Sequence, residues 1–169
     1  MDKKDIVSRF INEVDIGSFV WRYYINTFNE GWMMPEFHHH KAIELIHVID
    51  GHGFMKFGDD VQKLTKNNGL LIMPECEHRF YVDGDHQCTL INLHFVIEET
   101  PFDDLADLTG IKLNSHEHRK FAHSEPIGAA MQQIVSELSN KQSSYELGAA
   151  LRFGQLFVEL SRALEIRAP

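Results

Sequence analysis

Cysteine is nearly absent: Cys76 and Cys88 are the only two in 169 residues. Two are too few for a disulfide framework, and a reducing cytoplasm is the expected setting. Long apolar runs are missing as well, none approaching the ~18 residues a membrane span needs. The Met1-Asp-Lys-Lys-Asp5 start leads into no apolar core of a secretory signal. Positive charge is also scarce. Sixteen Lys and Arg face 25 Asp and Glu, a net charge of −9. Such a surface repels phosphate backbones, which argues against these residues gripping nucleic acid themselves.

Aromatic and imidazole groups are plentiful instead. Twelve Phe, 4 Tyr and 2 Trp supply the material of one well-filled domain. Of 11 histidines, eight lie between Phe37 and Phe95. The His38-His39-His40 triplet is internal, which separates it from an expression tag.

The pattern changes character along the chain. Residues 1–17 read as an arm or short helix. From residue 18, Phe19, Trp21, Tyr23 and Ile25 alternate with Val20, Arg22, Tyr24 and Asn26, a strand rhythm. Further strands are expected at 42–50, 53–57, 61–65, 70–73, 78–82 and 87–97, separated by Asp-, Asn- and Gly-rich turns. Short strands at this spacing without intervening helices imply an antiparallel sandwich or barrel over 18–112. One or two helical turns are expected in 101–112. The polar stretch 113–124 reads as a connector, and two helices fill 125–165. Ser124-Glu125-Pro126 opens the first helix, with a stripe of Ile127, Met131, Ile134, Val135 and Leu138. Ser143-x-x-Glu146 is a capping box for the second. That helix is apolar around much of its circumference. Part of it, Leu151, Gly154, Phe157, Val158 and Leu160, is expected to form a homodimer interface.

The spacing His38-x-His40-x-x-x-Glu44 carries the chemistry. Side chains at even offsets of an extended chain share a face, so His38, His40, Glu44, Ile46 and Val48 would point together, with His39 and His47 opposite. Two imidazoles and a carboxylate make a metal-ligand set, and His78 from a neighbouring strand could add a fourth. Three readings stand side by side: a bound transition metal, a metal-free polar pocket for a hydroxylated or anionic ligand, and groups that merely hydrate at a barrel mouth. Asn92 and His94 alternate in phase with Cys88, Leu90 and Val96 and are candidate pocket residues. Trp32, with Met33, Met34 and Phe37, is a candidate apolar wall. His47, His52, His86, His116, His118 and His123 read as surface or turn residues, and Cys76 as a buried free thiol.

His38-x-His40-x(3)-Glu44-x(6)-Gly51 looks like the first cupin motif. Gly69-x(4)-Pro74-x(3)-His78 resembles a degenerate second one that lacks its Gly and has Val82 where Asn is expected. The run from Glu44 through Gly51, Gly69–Pro74 and His78, with two C-terminal helices, is similar to the sensor domain of AraC-type transcription regulators. The resemblance covers roughly residues 18–165. It implies a double-stranded β-helix (cupin jelly roll) followed by an antiparallel helix pair. In that family the jelly roll takes a small effector, sometimes a sugar, the helices dimerise, and a C-terminal helix-turn-helix domain binds DNA. This chain stops where that domain would begin, so it is expected to be the sensing and dimerisation half. Residues 1–16 would then be an arm over the cavity. Under the metal reading the cofactor is one divalent Zn, Ni, Mn or Fe at His38, His40, Glu44 and His78; under the other two readings there is none. The alternative is a stand-alone metal-dependent cupin enzyme, a dioxygenase or sugar isomerase.

Overall fold

The computed structural model describes residues 20–96 and 117–164. The expected arm at 1–17 and the helical turns at 101–112 lie outside the described residues. Among the described residues, seven strands and two helices follow in order: β1 (Val20–Phe28), β2 (Ile43–Phe57), β3 (Asp60–Thr65), β4 (Gly69–Ile72), β5 (Arg79–Tyr81), β6 (Cys88–Phe95), β7 (His118–Phe121), α1 (Glu125–Asn140) and α2 (Tyr145–Ala163). All strand pairings are antiparallel.

β2 organises the molecule. Its first half lies between β6 and β4 in the order β1-β6-β2-β4-β7, and its second half pairs with β3 and β5. Two separate strands, 42–50 and 53–57, are expected from the turn-like Asp50-Gly51-His52-Gly53; the structure runs them together. A register shift between Val48 and Asp50 turns that stretch into a bulge, so the strand bends from one sheet into the other. Gly51 is required there. It sits at φ +74°, and a Cβ would lie 1.9 Å from the Gln87 carbonyl oxygen.

The first sheet is covered on both faces, which is why Ile43–Val48 is buried throughout instead of alternating. Ile43 and Leu45 face a core shared with α1 and α2, including Ile91, Leu93 and Phe95. Ile46 and Val48 face the space between the sheets with Phe28, Met55, Phe80 and Leu90. The two polar interruptions, Glu44 and His47, are buried on opposite faces of the strand.

The 113–124 connector needs correction, because it contains β7, paired with β4 from Gly69↔Phe121 to Ile72↔His118. Its polar sequence hides the strand: only Phe121 is buried, over Gly69, where a Cβ would meet the ring at 2.0 Å. α1 begins after Ser124 as expected and buries Ile127, Met131, Ile134 and Leu138. The capping box does not form. Ser144 caps α2 with φ 65° and no side-chain hydrogen bond to the helix. The dimer-face expectation also divides. Phe157 and Leu160 are 2% and 1% exposed, in the core beneath the helices. Leu151 and Val158, 51% and 41% exposed, stand on the outer face with Leu147 and the half-buried Gly154.

Candidate functional site

The segment leading into β2 and the one leading into β5 are tied by a single antiparallel bridge. His38 N–H donates to the His78 carbonyl oxygen at 3.0 Å, and His78 N–H returns the bond at 2.9 Å. This bridge brings the two rings to 4.2 Å between centroids. The chain bends at Lys41-Ala42 before β2 begins, so strand alternation does not place His38 and His40. They reach Glu44 through the bridge and the bend. Glu75, between Pro74 and His78, takes φ 63°, a left-handed conformation that glycine would occupy without strain. Its N–H donates to the His40 carbonyl oxygen at 2.9 Å, joining the two segments a second time.

Glu44 is the centre of the site, and its carboxylate is buried. Oε2 lies 3.2 Å from His40 Nε2, 2.9 Å from His78 Nε2 and 3.6 Å from His94 Nε2. Oε1 accepts a hydrogen bond from Asn92 Nδ2, which also donates to the Tyr24 hydroxyl at 2.9 Å. The donor atoms of His38, His40, Glu44 and His78 fall within 4.8 Å of one another.

The outer nitrogens set the ring tautomers. His40 Nδ1 lies 2.8 Å from the Ala42 carbonyl oxygen, and His78 Nδ1 lies 2.8 Å from that of Cys76. A carbonyl only accepts, so each Nδ1 carries the proton and donates it. In a neutral ring Nε2 is then left with a lone pair, the state in which histidine binds metal. Both lone pairs would point at the same anionic oxygen. Only added protons or a cation between them can hold that arrangement together.

The titration behaviour agrees. Burial would raise the Glu44 pKa, but the three imidazoles outweigh it and hold the carboxyl well below its usual range. Burial would lower the His40 pKa, but its hydrogen bond to Glu44 and the Glu44 charge outweigh that and raise it. His38 is lowered to about 4, by burial first and by His78 second, and is neutral near pH 7. His38 Nδ1 is buried without a hydrogen-bond partner, while His78 Nε2 has the Glu44 carboxylate at 2.9 Å. The residues therefore fit a metal ion: three imidazole nitrogens and a carboxylate oxygen converge, two rings are locked by carbonyls, and His38 Nδ1 lacks a partner.

A cavity of about 20 Å³ adjoins the cluster, lined on the polar side by His38, Glu44, His78, Asn92 and Tyr24. The apolar wall is Phe28, Trp32 and Phe80, with Phe28–Trp32 centroids 4.4 Å apart. That volume holds an ion or one water, far below the roughly 300 Å³ at which small-molecule pockets begin.

The structure thus brings together His38, His40, Glu44, His78, Asn92, His94 and Trp32. Of the other proposed wall residues, Met34 lines the cavity. Met33 is half-exposed, and Phe37 sits beneath the cations of Lys56 and Arg79. Tyr24 was not among the expected site residues. Its signal lay in β1, where Tyr24 pairs with Asn92 across to β6 and so shares its face. His39 stays outside, 3.0 Å from Glu75. His47 corrects the surface reading: it is buried on the helix side, its Nδ1 2.7 Å from Ser124 Oγ. Cys76 is buried and free, its pKa raised by burial.

Residues 22–157 match the family model for the AraC-like ligand-binding domain. The chain belongs to that family. No curated protein matches it. Among solved structures, ToxT from Vibrio cholerae O395 superimposes over 86% of this chain and 55% of its own, with TM-score 0.54 and 9% identity. This chain therefore spans about half the length of ToxT. A cupin protein from Bacteroides fragilis covers 46% of this chain and 66% of its own, at TM-score 0.43 and 19% identity. A cupin domain of an XRE family transcriptional regulator from Enterobacter cloacae covers 45% and 81%, at TM-score 0.40 and 17% identity. The fold is that of an AraC-like ligand-binding domain: an antiparallel, cupin-like β unit with two helices behind it. No helix among the described residues is long and apolar enough to cross a membrane.

Proposed function

We propose that this domain is the effector-sensing unit of a transcription regulator and that its Glu44 cluster holds one divalent Zn, Ni, Mn or Fe ion. The observation that carries this reading is the pair of carbonyl-locked imidazoles, His40 and His78, aiming Nε2 at one buried carboxylate oxygen. A divalent ion would hold His38, His40, Glu44 and His78 and present open positions to a ligand with oxygen donors. Tyr24 and Asn92 supply polar contacts beside it, and Trp32 a flat apolar face suited to a sugar ring. The cavity is too small for a sugar in this state, so effector entry displaces the Phe28–Trp32–Phe80 wall.

Signalling requires a second copy and DNA. The outer face of α2 carries Leu147, Leu151, Gly154 and Val158 at spacings of four, three and four residues, the seam of a helix pair. A twofold homodimer would close over it. DNA contact falls to a separate helix-turn-helix domain, consistent with the −9 charge of this chain. The free thiols of Cys76 and Cys88 suit a reducing cytoplasm.

Thermal melts test the site. Adding Zn, Ni, Mn or Fe to stripped protein should raise the melting temperature, because an ion bound only to the folded state stabilises by mass action. His40→Ala should abolish the part of that rise due to the Glu44 cluster, and His39→Ala should not. A panel of sugars and small acids, read by Trp32 fluorescence, then identifies the effector class. A metal-dependent cupin enzyme, a dioxygenase or sugar isomerase, is the second reading, favoured by the same donor set with its open positions. It predicts that the bound compound is converted, whereas an effector is recovered unchanged.

A further inference from the structure

The bulge of β2 and the turn between β5 and β6 meet at a second cluster of metal-ligating groups. His52, Asp83 and His86 place their donor atoms within 4.8 Å of one another. His52 Nε2 lies 3.3 Å and His86 Nδ1 3.5 Å from Asp83 Oδ1, and the two rings are 4.1 Å apart. Asp83 Oδ1 is sealed from solvent, yet it makes no hydrogen bond of acceptable geometry.

We propose that His52, Asp83 and His86 form a second divalent metal site, separate from the Glu44 cluster and selective for a late first-row ion such as Zn²⁺. Charge-assisted N–H···O bonds run at about 2.7–2.9 Å, so both approaches to Oδ1 are long for hydrogen bonding. They match instead the edge of a tetrahedron whose metal–ligand bonds are ~2.0–2.2 Å, an edge of about 3.3–3.6 Å. Two nitrogens and one carboxylate oxygen suit Zn²⁺, Ni²⁺ or Cu²⁺ over Mg²⁺ or Ca²⁺, which take mostly oxygen. His52 is largely buried while Asp83 and His86 are half-exposed, so the site is rooted on one side and open to solvent on the other.

Its position gives it a consequence for the cavity. Asp83 O accepts a hydrogen bond from Gly31 N–H at 3.0 Å, and Val82 N–H donates to the Trp32 carbonyl oxygen at 2.8 Å. An ion tying Asp83 to His52 therefore braces the segment that carries Trp32, the wall of the main cavity.

Calorimetric titration of Zn²⁺ into the full chain tests this, with His86→Ala, Asp83→Asn and His40→Ala as variants. His86 lies half-exposed on a turn, so His86→Ala should keep the melting temperature of the metal-free protein. One equivalent should weaken in both His86→Ala and Asp83→Asn by at least the roughly 10–100-fold that loss of even an outer-sphere partner costs. The same equivalent should survive in His40→Ala. Substoichiometric Cu²⁺ should broaden the amide resonances of Gly84 and His86 first. If His86→Ala and Asp83→Asn bind Zn²⁺ as the wild type does, the proposal is overturned and the cluster is only a polar turn. If wild type binds one equivalent, lost in His86→Ala and kept in His40→Ala, this site stands and the Glu44 metal reading fails. If it binds one equivalent lost only in His40→Ala, the reverse holds.

Discussion

Glu44 and His47 lie three residues apart on one strand, and their burial on opposite faces gives them opposite duties. Glu44 gathers imidazoles inside the jelly roll. His47 faces α1, where Ser124 Oγ meets its Nδ1 and Glu125 is the nearby charge. Burial lowers the His47 pKa below 6.5, with Glu125 opposing but not overcoming it. The unfolded chain therefore binds the His47 proton more readily, and stability is lost as pH falls through and below 6.5. His47→Gln should flatten this dependence. Urea midpoints near pH 7.5 and 5.5, compared between wild type and variant, measure it, and equal pH slopes in both would contradict the assignment. Glu44→Gln should remove metal-induced stabilisation from the main cluster, read as a smaller thermal shift than wild type on adding the same ion. The residues of this site were largely legible in the sequence, because histidines and a carboxylate at tight spacing have few other reasons to coincide. Strand parity, though, was the wrong route to His38 and His40. A bridge to His78 and a bend before β2 bring them in, and neither long-range pairing nor bends are written in local alternation. Tyr24 escaped for the same reason: its place depends on pairing with β6 across 68 residues.

Between elements, α1 packs closely against β2. A Cβ on Gly128 would stand 2.3 Å from His47 Nε2. Alanine ordinarily favours a helix over glycine by about 1 kcal/mol, but an overpacked core typically loses about 1–3 kcal/mol. The clash should win, so Gly128→Ala should destabilise by about 1 kcal/mol or more in urea melts. Combining it with His47→Ala should recover most of that loss, since the clashing ring is gone; an additive double mutant would argue against the contact. The same scale shows what sequence could and could not foretell. The helices were legible, α1 through Ser124-Glu125-Pro126 and its apolar stripe. β7 was not, because a strand with one buried side chain has no alternation to read. Nor was the continuity of β2: the Gly-rich signal that usually closes a hairpin here makes a bulge, and only the partner strands decide between the two.

At the scale of the whole molecule, the described residues leave one helix face without a covering element. Leu147, Leu151 and Val158 are 45%, 51% and 41% exposed along α2, with Gly154 between them. If this face makes the proposed twofold contact, Leu151→Glu should shift the chain from dimer to monomer in sedimentation while its melting temperature barely moves. Leu160→Glu, by contrast, puts a charge into the core behind the sheet and should cost several kcal/mol of stability. Equal sedimentation of wild type and Leu151→Glu would remove α2 from the interface. The central claim, however, is the cation at Glu44, and its most direct test is X-ray absorption at the zinc edge of His86→Ala protein loaded with one equivalent of Zn²⁺. The account predicts three imidazole nitrogens and one carboxylate oxygen at about 2.0–2.2 Å, reduced to two imidazoles in the added His40→Ala variant. A spectrum without histidine scattering, or one unchanged by His40→Ala, would contradict it.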